Sequence, residues 1–511
     1  MDLVAASQGN AYAAFRARFP QDLSRTFIES LDGRRVSYAA LEETTARLAN
    51  LLRSLGVGPG DRVAGLLDKS PEGIMLYLAA CRTGAVYLPI HVDLTASEVD
   101  YILSDAEPSL LVCRPELAAR LQARADVGGR HLLTLDARGR GTLVAAMGEQ
   151  PAEFATPPGR AEDPNAIVYT SGTTGRPKGA IMTNGLVVWN ALALAERWRI
   201  TADDVLLHAN PMAFGLFGTT TPVLAAGGSL RLLPKLQVDD VVAALPGVTM
   251  FSGVPTYYAR LLKHPGFTQA CCAGMRLFVT GSAPMRADLF DAFADRTGHQ
   301  LLDRYGMTEA LIITSMSLDA PRRPDTSGTP LTGCELRVVD EAGDPVPAGH
   351  VGMIELRQPF PFAGYWRAPE KTRDAFRPEG WFITGDFGRL DEDGNLSVLG
   401  RGVDLIISGG LNVYPKEVET GLNALPGVAE SAVIGVPHPD FGEAVVAVVQ
   451  LEPGADFSPA GAQAALSRDL ARYKVPKHVA VVPDMPRNTL GKIQKALLKT
   501  QFRDLFAPAV P

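Results

Sequence analysis

Tyr169-Thr-Ser-Gly-Thr-Thr-Gly-Arg-Pro-Lys178-Gly179 places hydroxyls, glycines and one lysine in eleven residues, directly after the apolar run Ala166-Ile-Val-Tyr169. A strand that runs into such a loop is the layout in which backbone N–H groups curl around a phosphate chain. Glycine allows the tight path, the hydroxyls add donors and the lysine adds charge. It is not a Walker A loop, because Pro177 stands five residues after Gly172 and Gly179 follows Lys178. A solvated Ser/Thr-rich turn would read the same in isolation, so the decision falls to the rest of the chain.

Outward from this loop the chain alternates between helical and strand patterns. Upstream, apolar residues recur at helical spacing from Tyr38 to Arg53 behind a candidate Ser37 cap, and again over Pro71 to Thr83 and Ser97 to Leu103. Between them Arg62 to Asp68, Ala85 to Ile90 and Ser109 to Cys113 read as short strands. The stretch from Ala137 to Asp163, rich in Gly, Ala and Pro, is expected to run over the surface. Downstream, Val205 to His208, Ser229 to Leu233, Val248 to Ser252 and Leu277 to Thr280 are further strands. Gly253-Val-Pro-Thr256 and Gly281-Ser-Ala-Pro284 follow the last two, at strand ends where α/β sheets hold ligands. Beyond Gly333 shorter β segments follow. After Arg401 a compact βαβ-like tail is expected, with a helix over Val418 to Leu425 and strands over Ser431 to Val436 and Ala444 to Leu451.

Composition bounds the rest. A chain of 511 residues exceeds what one hydrophobic core usually serves. A hydrophobic share of 46% and a charged share of 21% describe a globular protein, and a net charge of −7 gives no reason to expect nucleic acid or an anionic membrane as partner. The five cysteines show no metal-ligand spacing and are odd in number. No signal peptide and no spanning apolar run are read, so a reduced, cytoplasmic setting is expected.

Four more motifs carry chemistry. Asp303-Arg-Tyr-Gly-Met-Thr-Glu309 sets a hydroxyl beside a carboxylate, which suits a phosphate and a hard cation, although Thr-Glu also starts helices. Trp381-Phe-Ile-Thr-Gly-Asp386 ends in a carboxylate able to accept from ribose hydroxyls, or in a plain acidic turn. Gly400-Arg-Gly-Val-Asp-Leu-Ile-Ile-Ser-Gly-Gly-Leu-Asn-Val-Tyr-Pro-Lys-Glu417 and Pro486-Arg-Asn-Thr-Leu-Gly-Lys492 complete the set.

In this order the five motifs resemble the adenylate-forming superfamily, which includes acyl-CoA synthetases, over essentially the whole chain. The resemblance implies an α/β protein: a large N-terminal domain of stacked α/β sheets (residues 1–400) and a small mobile α+β C-terminal domain (401–511). It implies Mg-ATP, a small carboxylic acid and coenzyme A as ligands, with an acyl-carrier protein or an amine as alternative acceptor. Thr170, Ser171, Gly172, Thr173, Thr174, Gly175 and Lys178 would cradle the β- and γ-phosphates. Thr308 and Glu309 would handle the α-phosphate and Mg²⁺. Gly281, Ser282, Ala283 and Pro284, with Asp303 and Tyr305, would line the adenine site, while Asp386 and Arg401 would hold the ribose. Lys492 would bridge the reacting carboxylate and α-phosphate, and Gly409, Gly410 and Asn412 would face the coenzyme A tunnel.

Within the superfamily the chain is similar to malonyl-CoA synthetases, through Met275-Arg-Leu-Phe-Val-Thr-Gly-Ser-Ala-Pro284 and Val433-Ile-Gly-Val-Pro-His-Pro-Asp-Phe-Gly-Glu443 among other stretches. That likeness implies that Arg260 and Arg304 hold a distal carboxylate, since a buried second negative charge needs cationic partners. Two departures stand out. The His-x-His-Gly element of that group is missing, and Asn210-Pro-Met-Ala-Phe214-Gly-Leu-Phe217 stands there instead, implying a more apolar acid pocket around Phe214. Val403 replaces the usual Lys or Asp at the rotation hinge, and a β-branched residue reduces backbone freedom. A monocarboxylic or aryl acid therefore stays open beside malonate.

Overall fold

The computed structural model describes residues 2–123, 131–170, 177–282, 285–408, 411–488 and 491–507, with backbone alone at Ala213, Phe214, Val403 and Asn412. The local signals act as expected. Ser37 accepts from the Ala40 N–H to start the helix Tyr38–Ser54, and Ser70 accepts from Gly73 N–H to start Pro71–Thr83. Each hydroxyl satisfies a donor that has no partner within the helix.

Two large sheets carry the fold. In the first, Arg62–Leu66, Val86–Pro89, Leu110–Cys113, His131–Thr134 and Pro164–Thr170 run parallel, and Lys178–Thr183 and Gly364–Tyr365 close one edge antiparallel. The second has a parallel centre made of Thr26–Ser30, Ser229–Leu232, Val205–His208, Met250–Ser252, Leu277–Gly281 and Leu301–Met307. Pro71–Thr83 and Asn184–Arg197 are buried along most of their length. Helices that are apolar nearly all round cannot face water, so these two fill the interior of the large domain. Trp189 and Trp198, fully buried there, donate to Thr332 O at 3.1 Å and Ser315 Oγ at 2.9 Å. Lys69, buried after the first sheet's central strand, donates to His208 O at 3.0 Å and Leu233 O at 2.8 Å, tying the two sheets at their carboxyl ends.

The remaining chain forms two smaller sheets. Glu335–Val339, Gly352–Arg357, Phe382–Leu390 and Leu396–Arg401 make an antiparallel sheet that holds Asp386 within its third strand, so the plain acidic turn does not apply. The small C-terminal domain has its own core around Val433, Val445 and Leu466. Two expectations are corrected. The surface stretch from Ala137 contains a helix, Thr142–Gly148, too short to show periodicity. The two long strands of the tail form a hairpin, because Val428–His438 and Gly442–Leu451 are antiparallel. Parallel pairing needs a crossover of a dozen residues or more, which the link between those strands cannot supply. The parallel βαβ unit comes next, from Gly442–Leu451 through the helix Pro459–Asp469 to His478–Val482. The expected helix at Val418 is Pro415–Asn423, with proline in its first turn and Pro426 close behind.

Candidate active site

The opening loop joins two antiparallel strands, with Thr170 paired to Lys178 at its base. Ser171, Gly172, Thr173, Thr174 and Gly175 lie outside the described residues. Lys178 Nζ stands 5.3 Å from the centre of the Tyr365 ring, a cation over an aromatic face. Tyr365 reaches that position because Gly364–Tyr365 adds to the Lys178–Thr183 strand, with Tyr365 opposite Ala180. Its hydroxyl donates to Glu309 Oε1 at 2.8 Å, and burial with the nearby Glu309 charge raises the phenol's pKa. Glu309 is 8% exposed. Thr308 and Glu309 sit in the turn between Leu301–Met307 and Leu311–Ser315, so the alternative of a helix cap does not apply. That turn is tight. A Cβ on Gly306 would lie 2.1 Å from Leu311 O, and Leu311 itself holds φ 55°, a region that costs a branched residue free energy.

Beside this turn the parallel strands bring several sequence-predicted residues together at their carboxyl ends. Thr280 pairs with Asp303 and Gly281 with Arg304. Strand alternation puts Asp303 and Tyr305 on one side and Arg304 on the other. Asp303 is buried and accepts from the Arg304 N–H at 2.8 Å, and burial pushes its pKa up to about 7 against the opposing pull of that bond, Arg304 and Lys416. Ser282 holds φ 67°, unusual for a residue with a Cβ. Ala283 and Pro284 lie outside the described residues.

Tyr305 donates to Asp386 Oδ2 at 2.5 Å, and Arg401 Nε lies 3.4 Å from Asp386 Oδ1, across paired positions of neighbouring strands. Burial raises the Asp386 pKa, opposed by Tyr305, Arg401 and Lys492. Lys492 therefore acts on this cluster although it belongs to the small domain. Its side chain keeps solvent access, yet the protein packed around it, and then the Arg401 charge, draw its pKa below the ordinary lysine value, with Asp386 and Asp404 opposing. The neighbouring Gly491 lies against Thr256, whose Oγ1 would be 3.8 Å from a Cβ built there. The C-terminal turn is thus seated on the large domain's cleft. Gly409 and Gly410 lie outside the described residues, and Asn412 is placed only by its pairing with Ile407.

The acid-side arginines have no ion-pair partner among the described residues. Arg304 has no carboxylate within ion-pair distance among the described residues, and burial lowers its pKa, with Asp303 and Tyr258 opposing. A Cβ on Gly281 would stand 2.9 Å from Arg304 Nε, so glycine there leaves the guanidinium its space. Arg260, on the helix Pro255–Leu262, is exposed. The side chain of Phe214 lies outside the described part. Beside it sequence reading missed His208, 1% exposed, whose two ring nitrogens find no hydrogen-bond partner among the described residues and whose pKa burial and then Lys69 lower to about 3. It missed Tyr365 as well, whose only sequence signal is an aromatic pair behind glycine at Gly364-Tyr-Trp366. No cluster of three or more His, Cys, Asp or Glu among the described residues could hold a metal ion. The oxygens of Thr308 and Glu309 suit a hard cation that takes most of its ligands from water and phosphate.

Comparison with known proteins places this architecture. Residues 14–366 match the AMP-binding enzyme family and residues 417–492 the AMP-binding enzyme C-terminal domain. The chain belongs to the AMP-binding enzymes. It is 37% identical over 476 residues to a feruloyl-CoA synthase of Amycolatopsis sp, spanning 92% of this chain and 94% of that one. It is 30% identical over 555 residues to the malonate–CoA ligase of Arabidopsis thaliana, spanning 98% and 91%. The crystal structure of ATP-bound MatB from Rhodopseudomonas palustris matches with a TM-score of 0.95 at 45% identity, covering 97% of this chain and 99% of that one. The chain is thus an acyl-CoA ligase in kind, using ATP and coenzyme A. No helix among the described residues is long and apolar enough to cross a membrane.

Proposed function

We propose that this chain is an AMP-forming acid–CoA ligase acting on a small dicarboxylate, malonate or a substituted malonate. The observation that carries the choice of acid is Arg304, a half-buried guanidinium with no carboxylate within ion-pair distance among the described residues. A desolvated cation is costly unless an anion joins it, and a distal carboxylate would supply that anion. Exposed Arg260 would meet the same group from the helix above. The malonate–CoA ligases among the relatives support this reading.

The chemistry follows from the placement of charge. One carboxylate oxygen of the acid attacks the α-phosphorus of ATP, pyrophosphate leaves, and the acyl-adenylate forms; the coenzyme A thiol then displaces AMP. Lys178 and Thr170, with the loop they bound, would hold the β- and γ-phosphates, and the Lys492 ammonium would bridge the attacking oxygen and the α-phosphate. Such charge stabilisation is the main help this displacement needs. Asp386 and Arg401 would hold the ribose, and Asp303, Tyr305 and the 281–284 segment the adenine. Thr308 and Glu309 would bind Mg²⁺, which neutralises phosphate charge. Residues 401–511 would move as the small domain, and Gly409, Gly410 and Asn412 would meet coenzyme A.

A second reading rests on Asn210 to Phe217, which lacks the histidines of the malonate group, and on the feruloyl-CoA synthase relatives. In it the acid is monocarboxylic or aryl, and the acceptor is coenzyme A, a carrier-protein thiol or an amine. ATP–pyrophosphate exchange over malonate, methylmalonate, acetate and ferulate separates the two. Exchange with the diacids is expected; exchange with ferulate or acetate alone would rule the dicarboxylate out.

A further inference from the structure

The site is complete only when the small domain seats Lys492 near Asp386. We infer that Arg286, on the large domain, is the residue that positions the small domain in this adenylating pose; the inference rests on the reading above. Arg286 precedes the helix Ala287–Thr297. Asp288 grips its guanidinium in a fork, with Nε to Oδ1 at 2.9 Å and Nη2 to Oδ2 at 2.7 Å. That clamp fixes the plane of the group and aims its other edge across the domain boundary. There Nη1 donates to Ala429 O at 2.6 Å and Nη2 to Asn423 O at 3.1 Å.

The acceptors are suited to a cation. Asn423 ends the helix Pro415–Asn423, where carbonyls lack partners within the helix and the negative end of the dipole gathers. Ala429 lies in the strand Val428–His438 that follows. One arginine therefore grips a helix end and the strand behind it. The side chain is 27% exposed, so water weakens these bonds less than at an open surface. An ion pair across the boundary, Lys263 with Glu452 at 3.7 Å, joins side chains 73% and 48% exposed and adds little. The same helix brings Lys416 to Asp303, so the grip on its end also holds that cation at the strand edge. Among the described residues, no hydrogen bond or ion pair joins Arg286 to a group assigned to ATP or the acid.

A positioning role predicts a split between half-reactions. Arg286→Ala should lower the kcat of ATP–pyrophosphate exchange about tenfold, the scale of a single charged hydrogen bond, because water replaces part of what the partly exposed group loses. The KM values for ATP and acid should stay within about twofold, since neither ligand meets the residue. Conversion of a supplied acyl-adenylate and coenzyme A to thioester should be unchanged or faster. Arg286→Lys, which keeps the charge but loses the fork, should fall between. If Arg286→Ala does not fold, Asp288→Asn is read the same way, because it frees the guanidinium without removing it. Equal loss in both half-reactions, or undiminished exchange, would overturn the proposal while leaving the ligase assignment intact. A wild-type enzyme that exchanges pyrophosphate with no acid would overturn both.

Discussion

The cleft has two kinds of charged wall. On one, two carboxylates already have a tyrosine: Glu309 takes the hydroxyl of Tyr365 and Asp386 that of Tyr305. On the other, Arg304, Arg260 and Lys492 have no ion-pair partner among the described residues. A buried carboxylate with a neutral donor stays oriented and keeps lone pairs for hydroxyls or a cation. A cation without a counter-charge waits for an anion that only a ligand can bring. The first wall is fixed before binding, and the second is finished by it.

The contrast breaks most severely at Lys492. Lys492→Ala should lower adenylation by about 10²–10³-fold, the scale of a lost transition-state donor, while a supplied acyl-adenylate is still turned over; equal loss of both half-reactions would remove the distinction. Arg304→Ala comes next. It should raise the diacid KM about 30-fold, or ~2 kcal/mol for a charged hydrogen bond, with little change for ATP; equal shifts would assign Arg304 to the fold. Tyr365→Phe deletes only a hydroxyl on the prepared wall, so the KM for ATP should rise about fivefold or less, and titration calorimetry with ATP with and without Mg²⁺ would show whether the loss needs the metal.

The smallest effect on turnover is expected at Asp303, where the readout is stability. Its folded pKa near 7 stands above the unfolded carboxylate value of about 4, so folding favours the protonated form. The penalty for ionisation is absent below pH about 4 and grows as the pH rises towards 7. Asp303→Asn removes it, so the urea midpoint of the variant should gain on wild type across that window. A difference that does not change with pH would show that Asp303 is ionised as freely in the fold as outside it.

The sequence made the motif residues legible and left their company obscure. Ser37 and Ser70 announced helices because capping is local chemistry. The strands ending at His208, Ser252 and Gly281 were legible because parallel strands buried on both faces are continuously apolar. Tyr365 was not, because its partner Glu309 lies 56 residues away and only strand addition brings them together. His208 and Lys69 were hidden for a similar reason: one belongs to each sheet, and neither has a motif around it. The hairpin after Val428 was misread because an apolar run shows a strand but not the direction of its neighbour.

Gly281 offers a practical handle. Its missing side chain is the room in which the Arg304 guanidinium lies, on a neighbouring strand paired in register. For anyone wishing to retarget the ligase, position 281 is therefore the fixed point to build around. A Cβ there would stand 2.7 Å from the Arg304 backbone carbonyl and would press on the strand as well as on the guanidinium. Replacing Arg304 would discard the charge altogether. A library that keeps glycine at 281 and varies the stretch from Asn210 to Phe217 would explore neighbouring acids while the two paired strands stay as they are.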